Sequence, residues 1–148
     1  MTMRSAALIG LGTMGPGIAA RLARGGIDVA AYDTSAAAMD RAKWMLGQAE
    51  TALDNLGIKA PETGAGRISL TNSLEEAVSG ADLVIENVPE KIEIKEQVYR
   101  AIDPLLGPDA IVASDTSGIP ITKLQAFLSR PERMAGMHWS NPPHIIPM

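Results

Sequence analysis

Only two of the 148 residues are histidines, and one of them, His138, stands where a proton acceptor is useful. It follows the short apolar run Met134-Ala135-Gly136-Met137, so it sits at the end of a candidate strand. A neutral imidazole there can take the proton of a hydroxyl while hydride leaves for a nicotinamide ring. Ser117, at the end of the preceding apolar run, is placed to orient the same hydroxyl or the carbonyl it becomes. A histidine at a strand end also serves simply to cap it by hydrogen bonding, and position alone leaves both readings open. His144, in the turn Pro142-Pro143-His144, reads as structural or solvent-facing. Two separated histidines without ligand spacing do not suggest a metal, and the absence of cysteine excludes disulfides, thiolate catalysis and zinc-thiolate sites.

A nicotinamide needs a holder, and Gly10-Leu11-Gly12-Thr13-Met14-Gly15 has the pattern of one. In such a turn the first glycine permits the bend, the second lets the backbone approach a pyrophosphate, and the third brings helix close to strand. The helix that follows offers free N–H groups and a positive dipole end to the phosphates, and Pro16 fits its first turn because the missing N–H removes no intrahelical bond. Gly10, Gly12, Thr13, Met14 and Gly15 are therefore candidate cofactor contacts. A glycine turn alone is weak evidence; Asp33, ending the run Asp28-Val29-Ala30-Ala31-Tyr32, strengthens it. It lies near the spacing of the acid that accepts hydrogen bonds from an adenosine ribose diol, although an aspartate there also suits a helix start. A carboxylate repels a 2′-phosphate, and Thr34, Ser35 and Ala36 bring no arginine, so the expected cofactor is NAD rather than NADP.

Strands and helices in alternation position these groups. Ser5 to Ile9 is a buried strand, and Ile18, Ala19, Leu22 and Ala23 mark the helix after the turn. Met39, Ala42, Leu46, Ala49, Leu53 and Leu56 form one face of a long second helix that contains Gly47, at a cost of about 1 kcal/mol relative to alanine, and is stopped by Gly57. After a loop from Lys59 to Gly66 come a short strand from Arg67 to Leu70 and a short helix from Ser73 to Val78. Ala81 to Ile85 is the next strand, and Ile94, Val98, Ile102 and Leu105 predict the buried face of a further helix. Ala110 to Ala113 is a strand; Ile121, Leu124 and Leu128 mark a shorter helix before the last strand, Met134 to Met137. The alternation predicts an α/β Rossmann-type, doubly wound and mostly parallel sheet with helices on both faces. Five polar strand ends then converge on one crevice: the glycine turn, Asp33, Glu86 to Glu90, Ser114 to Ser117, and His138 to Asn141.

The length suits one domain, and the 46% hydrophobic and 20% charged residues describe a globular protein. No apolar run approaches the length of a membrane span, and a net charge of -4 without a cationic cluster argues against nucleic acid. With the first strand so near Met1, no targeting peptide is expected and a cytoplasmic setting is the default.

Four blocks resemble the L-3-hydroxyacyl-CoA dehydrogenase family in its N-terminal NAD-binding domain. They are Gly10 to Ala19, Val84-Ile85-Glu86-Asn87-Val88-Pro89-Glu90, Asp115-Thr116-Ser117, and His138-Trp139-Ser140-Asn141-Pro142-Pro143. The resemblance runs in register over essentially the whole chain, and the last block is the most specific. It implies that His138 is the catalytic base and that Ser117 contacts both substrate and nicotinamide. It also implies that Asp33 holds the adenosine ribose while Glu90, Lys95 and Asn141 line the nicotinamide side. By spacing alone, Glu90 and Lys95 read as an exposed helical pair. The implied reaction is oxidation of the 3-hydroxyl of a 3-hydroxyacyl-CoA to the 3-ketone with hydride transfer to NAD, in fatty-acid metabolism, by a homodimer in the full-length protein.

The sequence departs from that family at several places. Asp115 stands where asparagine is usual, and Trp139-Ser140 replaces a more aromatic pair. Where CoA-using members place a serine and a lysine in the second helix, this chain has Ala49 and Leu56; Arg41 and Lys43 are possible substitutes but read as solvated helix charges. Relatives such as lambda-crystallin-like gulonate dehydrogenases and carnitine dehydrogenase act on 3-hydroxy acids without CoA, and that branch stays open. So do a non-catalytic NAD-binding protein and the 6-phosphogluconate and 3-hydroxyisobutyrate dehydrogenase group, which shares the glycine turn but lacks the His138 block. The tail Ile145-Ile146-Pro147-Met148 reads as the start of another strand, and the glutamate expected about a dozen residues after the histidine to orient it is missing, as is a helical second domain. The expectation is a fragment of a longer protein, weakly active by itself.

Overall fold

The computed structural model describes residues 3–146. Six strands form one parallel sheet: β1 (Ser5–Ile9), β2 (Asp28–Tyr32), β3 (Ile68–Thr71), β4 (Leu83–Glu86), β5 (Ile111–Ser114) and β6 (Met134–Gly136). Their spatial order is β3-β2-β1-β4-β5-β6. Side chains alternate between the two faces, as the strand repeat requires. Ala6, Leu8, Val29, Ala31, Leu83 and Ile85 pack against α1 (Gly15–Arg24) and α2 (Ala36–Asn55). Ala7, Ile9, Val84 and Val112 pack on the other face against α3 (Leu74–Val78), α4 (Ile92–Ile102) and α5 (Ile121–Gln125). The doubly wound Rossmann sheet expected from the sequence is therefore present. Strand order reverses between β1 and β4, which opens a crevice beyond their carboxyl ends.

Local chemistry explains most element ends. Ser35 caps α2 by accepting the Ala38 N–H at 3.2 Å, and Ser73 caps α3 by accepting the Glu76 N–H at 3.2 Å. Gly57, with φ +68°, closes α2 by donating its N–H to the Asp54 carbonyl. Gly47 does not break that helix.

Three expectations need correction. The α4 helix ends at Ile102, and a 3-10 turn from Asp103 to Leu105 follows because Pro104 has no N–H to continue the α pattern. The face that α4 buries is Lys95, Tyr99 and Ile102, whereas Ile94 and Val98 line the crevice. The tail does not begin a strand in its described part: Ile145 and Ile146 donate to the Pro142 carbonyl in a turn, and Pro147 and Met148 lie outside the described residues. Among the described residues no helix is long and apolar enough to cross a membrane.

Candidate active site

The glycine turn divides its duties by geometry. Gly10 has φ +105°, and a Cβ on it would lie 2.5 Å from the Asn87 carbonyl oxygen. A Cβ on Gly15 would collide with the Gly10 carbonyl oxygen, whereas one on Gly12 would meet nothing within 4 Å. The outer glycines thus answer needs of the protein itself, and the middle one keeps space open above the turn. Met14 starts α1 without a side-chain cap, and among the described residues the N–H groups of Gly12, Thr13 and Met14 donate to no acceptor. Unpaired amides at a helix N-terminus suit a diphosphate.

Asp33 is tied to the turn: its Oδ2 accepts the Leu11 N–H at 2.9 Å and its Oδ1 accepts the Ser35 N–H at 2.8 Å. One lone pair on each oxygen stays available to a ribose diol. The helix cap here is Ser35, so Asp33 supports the helix start without being its cap. Turn and carboxylate open on a cleft of about 860 Å³ whose apolar wall includes Leu74, Ile94 and Val98. An apolar wall, a diol acceptor and free amides in succession match adenine, ribose and diphosphate, so the residues present fit a dinucleotide. Arg41 also borders the cleft, and Lys43 is spent on Asp40 at 2.9 Å on the exposed face of α2.

At the other side of the crevice, Ser117 Oγ and His138 Nε2 are 3.0 Å apart, both exposed. The two residues that the sequence assigned to the chemistry are thus brought together. Glu90 holds the loop that presents Ser117. Its Oε1 accepts the Thr116 hydroxyl at 2.6 Å and the Ser117 and Gly118 N–H groups at 3.0 and 2.9 Å, while Oε2 lies 3.3 Å from Lys95 Nζ. Burial raises the Glu90 pKa, but the Thr116 and Gly118 donors and the Lys95 ammonium outweigh it and hold the carboxyl at about 2. Asn141 is exposed and makes no hydrogen bond among the described residues, leaving its amide available.

Behind this loop lies a buried polar group that sequence reasoning missed. Glu86 is fully buried; its Oε1 accepts Lys95 Nζ at 2.6 Å and the Val88 N–H at 2.8 Å. Its Oε2 accepts the Tyr99 hydroxyl at 2.5 Å and the Ser114 hydroxyl at 2.7 Å. Four donors satisfy the carboxylate, and burial beside Glu86 pushes the Tyr99 phenol far above its ordinary pKa. Lys95 is only 1% exposed, so it is not half of an exposed helical pair; its ammonium reaches the rim through Glu90.

Asp115 joins the two halves. Its Oδ1 accepts the Trp139 N–H at 2.7 Å, next to His138. In the amide orientation that gives each neighbour a partner, Asn87 Nδ2 donates to Asp115 Oδ2 at 2.9 Å and the Asn87 amide oxygen accepts the Gly15 N–H at 2.9 Å; the opposite orientation leaves Nδ2 only the Gly10 carbonyl at 3.4 Å. Burial pushes the Asp115 pKa up, while the Trp139 N–H and the charge on His138 pull it down. The segment after His138 then docks on α1. A Cβ on Gly17 would lie 2.7 Å from Pro143 Cγ and 2.8 Å from His144 Nδ1, so only glycine permits this approach. His144 is half-buried there, its Nδ1 has no partner among the described residues, and burial lowers its pKa; this is the structural role expected of it.

Comparison with known proteins is consistent along the chain. Residues 5–148 match the family described as 3-hydroxyacyl-CoA dehydrogenase, NAD binding domain. The chain is 68% identical over 146 residues to 5-formyl-3-hydroxy-2-methylpyridine 4-carboxylate 5-dehydrogenase of Mesorhizobium japonicum, covering 99% of this chain and 47% of that protein. It is 38% identical over 148 residues to L-carnitine dehydrogenase of Oceanobacillus iheyensis, covering 99% and 47%. A solved structure of a 5-formyl-3-hydroxy-2-methylpyridine 4-carboxylic acid 5-dehydrogenase, described as an NAD+ dependent dismutase, superposes with a TM-score of 0.96 at 68% identity over 99% of this chain and 47% of that one. The chain spans about half the length of these relatives.

Proposed function

The chain belongs to the 3-hydroxyacyl-CoA dehydrogenase family as its NAD-binding domain, and from that premise we propose that the whole protein oxidises a small, CoA-free substrate with His138 as its base. The observation that carries this reading is the 3.0 Å pairing of His138 Nε2 with Ser117 Oγ across the crevice from the free amides of Gly12, Thr13 and Met14. Bound NAD supplies the hydride acceptor. Gly12, Thr13, Met14 and Gly15 would hold its diphosphate and Asp33 its adenosine ribose, with Glu90, Lys95 and Asn141 on the nicotinamide side.

His138 takes the hydroxyl proton of an alcohol, or of an aldehyde hydrate, in the oxidising direction and returns it to a carbonyl in the reverse. Ser117 fixes the reacting oxygen, and Glu90 fixes Ser117 through its backbone N–H. A base competent in both directions is what aldehyde dismutation to acid and alcohol needs, and dismutation is ascribed to the 68% identical neighbour. Of the two substrate classes left open by the sequence, two features favour the CoA-free one. Ala49 and Leu56 stand where a CoA arm would need polar partners, and Ala49 is fully buried. The 68% identical relative acts on a pyridine carboxylate, and another relative on carnitine.

The test is a substrate comparison on the full-length protein, following NADH absorbance with the formylpyridine carboxylate, L-carnitine and 3-hydroxybutyryl-CoA. The free aldehyde acid is expected to turn over fastest, and His138→Gln to lower kcat by about 1,000-fold while NAD affinity holds within about twofold. Faster turnover of the CoA thioester refutes the substrate class. A His138→Gln protein with an intact rate refutes the catalytic role and favours a non-catalytic NAD binder.

A further inference from the structure

Asp115 bonds to both halves of the crevice. Its two carboxylate oxygens take donors from different elements: the Trp139 N–H after β6 and the Asn87 amide after β4. Asn87 in turn accepts the N–H of Gly15 at the start of α1. The path Gly15, Asn87, Asp115, Trp139 therefore runs from the diphosphate turn to the neighbour of His138. We propose that Asp115 is a positioning residue that fixes His138 relative to the diphosphate turn. This rests on the reading of His138 as the base.

The donor pattern requires a carboxylate in particular. Both donors present hydrogens, so the group between them must accept twice. An asparagine at 115 accepts from Trp139 through its oxygen but turns its NH₂ group toward the NH₂ of Asn87. Relieving that conflict by rotating Asn87 places two donors, Asn87 Nδ2 and Gly15 N–H, against each other. Either way one link is lost, and the catalytic strand end and the turn are no longer held together.

The experiment uses the full-length protein and the variants Asp115→Asn, Asn87→Ala and both together, with His138→Gln alongside. NAD affinity is measured by titration calorimetry, and kcat and KM by initial rates at saturating NAD. Asp115→Asn is expected to lower kcat by about tenfold while the substrate KM stays within about twofold. Asn87→Ala and the double variant are expected to lose no more NAD affinity together than the worse single variant does, because all break the same path. A kcat within about twofold of the parent's, or losses that add, overturns the proposal. If Asp115→Asn does not fold, Asn87→Ala at saturating NAD carries the test: a kcat equal to that of the unmodified protein overturns it. A His138→Gln protein that retains its rate shows instead that the reading of the base has failed.

Discussion

Gly12 and Gly15 look equivalent in a motif and are not equivalent in space. A methyl at Gly15 meets the Gly10 carbonyl, whereas one at Gly12 meets open cleft. Gly15→Ala is therefore expected to lose about 2 kcal/mol of stability through a clash with backbone that cannot yield. Gly12→Ala is expected to melt within about 2 °C of the parent yet bind NAD at least about tenfold more weakly, since its methyl occupies the diphosphate's place. Thermal unfolding and calorimetric titration separate the two. At this scale the sequence was legible wherever a residue type is rare or conformationally special: the glycines, the aspartate after β2, a histidine at a strand end. Asn87 and Gly17 escaped because their roles depend on partners 72 and 126 positions away, Gly15 and Pro143, which no local pattern encodes.

Helix α4 shows how an element can be found while its orientation is misread. Apolar spacing selected Ile94, Val98 and Ile102; Ile102 is buried, but the structure leaves Ile94 and Val98 on the crevice and turns Lys95 and Tyr99 inward beside Ile102. Their charge and hydroxyl are matched by Glu86 at the end of β4, so burial is tolerated. A signal existed in the four-residue step from Lys95 to Tyr99 and in a glutamate closing an otherwise apolar strand, but a periodicity of hydrophobicity cannot register buried polar groups that satisfy one another. The cluster predicts a sharp asymmetry. Lys95→Met strands the Glu86 carboxylate in the core and is expected to cost about 4 kcal/mol, read from urea unfolding. Lys95→Met combined with Glu86→Gln is expected to recover about half of that loss, since no unpaired charge is left behind. The same unfolding curves report both.

Across the whole molecule, strand order reverses once, and Gly10, Gly12, Thr13, Met14 and Asp33 line the crevice this creates. The alternation of elements made that arrangement readable, because parallel strands with right-handed crossovers leave few other topologies. The substrate was less readable, since this chain spans about half the length of its relatives.

The two tryptophans offer a way to watch the crevice directly. Trp44 is 68% exposed on α2, while Trp139 is partly buried beside His138. Trp44→Phe removes the solvent-facing fluorophore and leaves one indole among these 148 residues, whose emission should be blue-shifted. Reduced nicotinamide absorbs where that indole emits, so NADH arriving in the cleft should quench it by energy transfer, giving the protein an optical reporter that needs no dye.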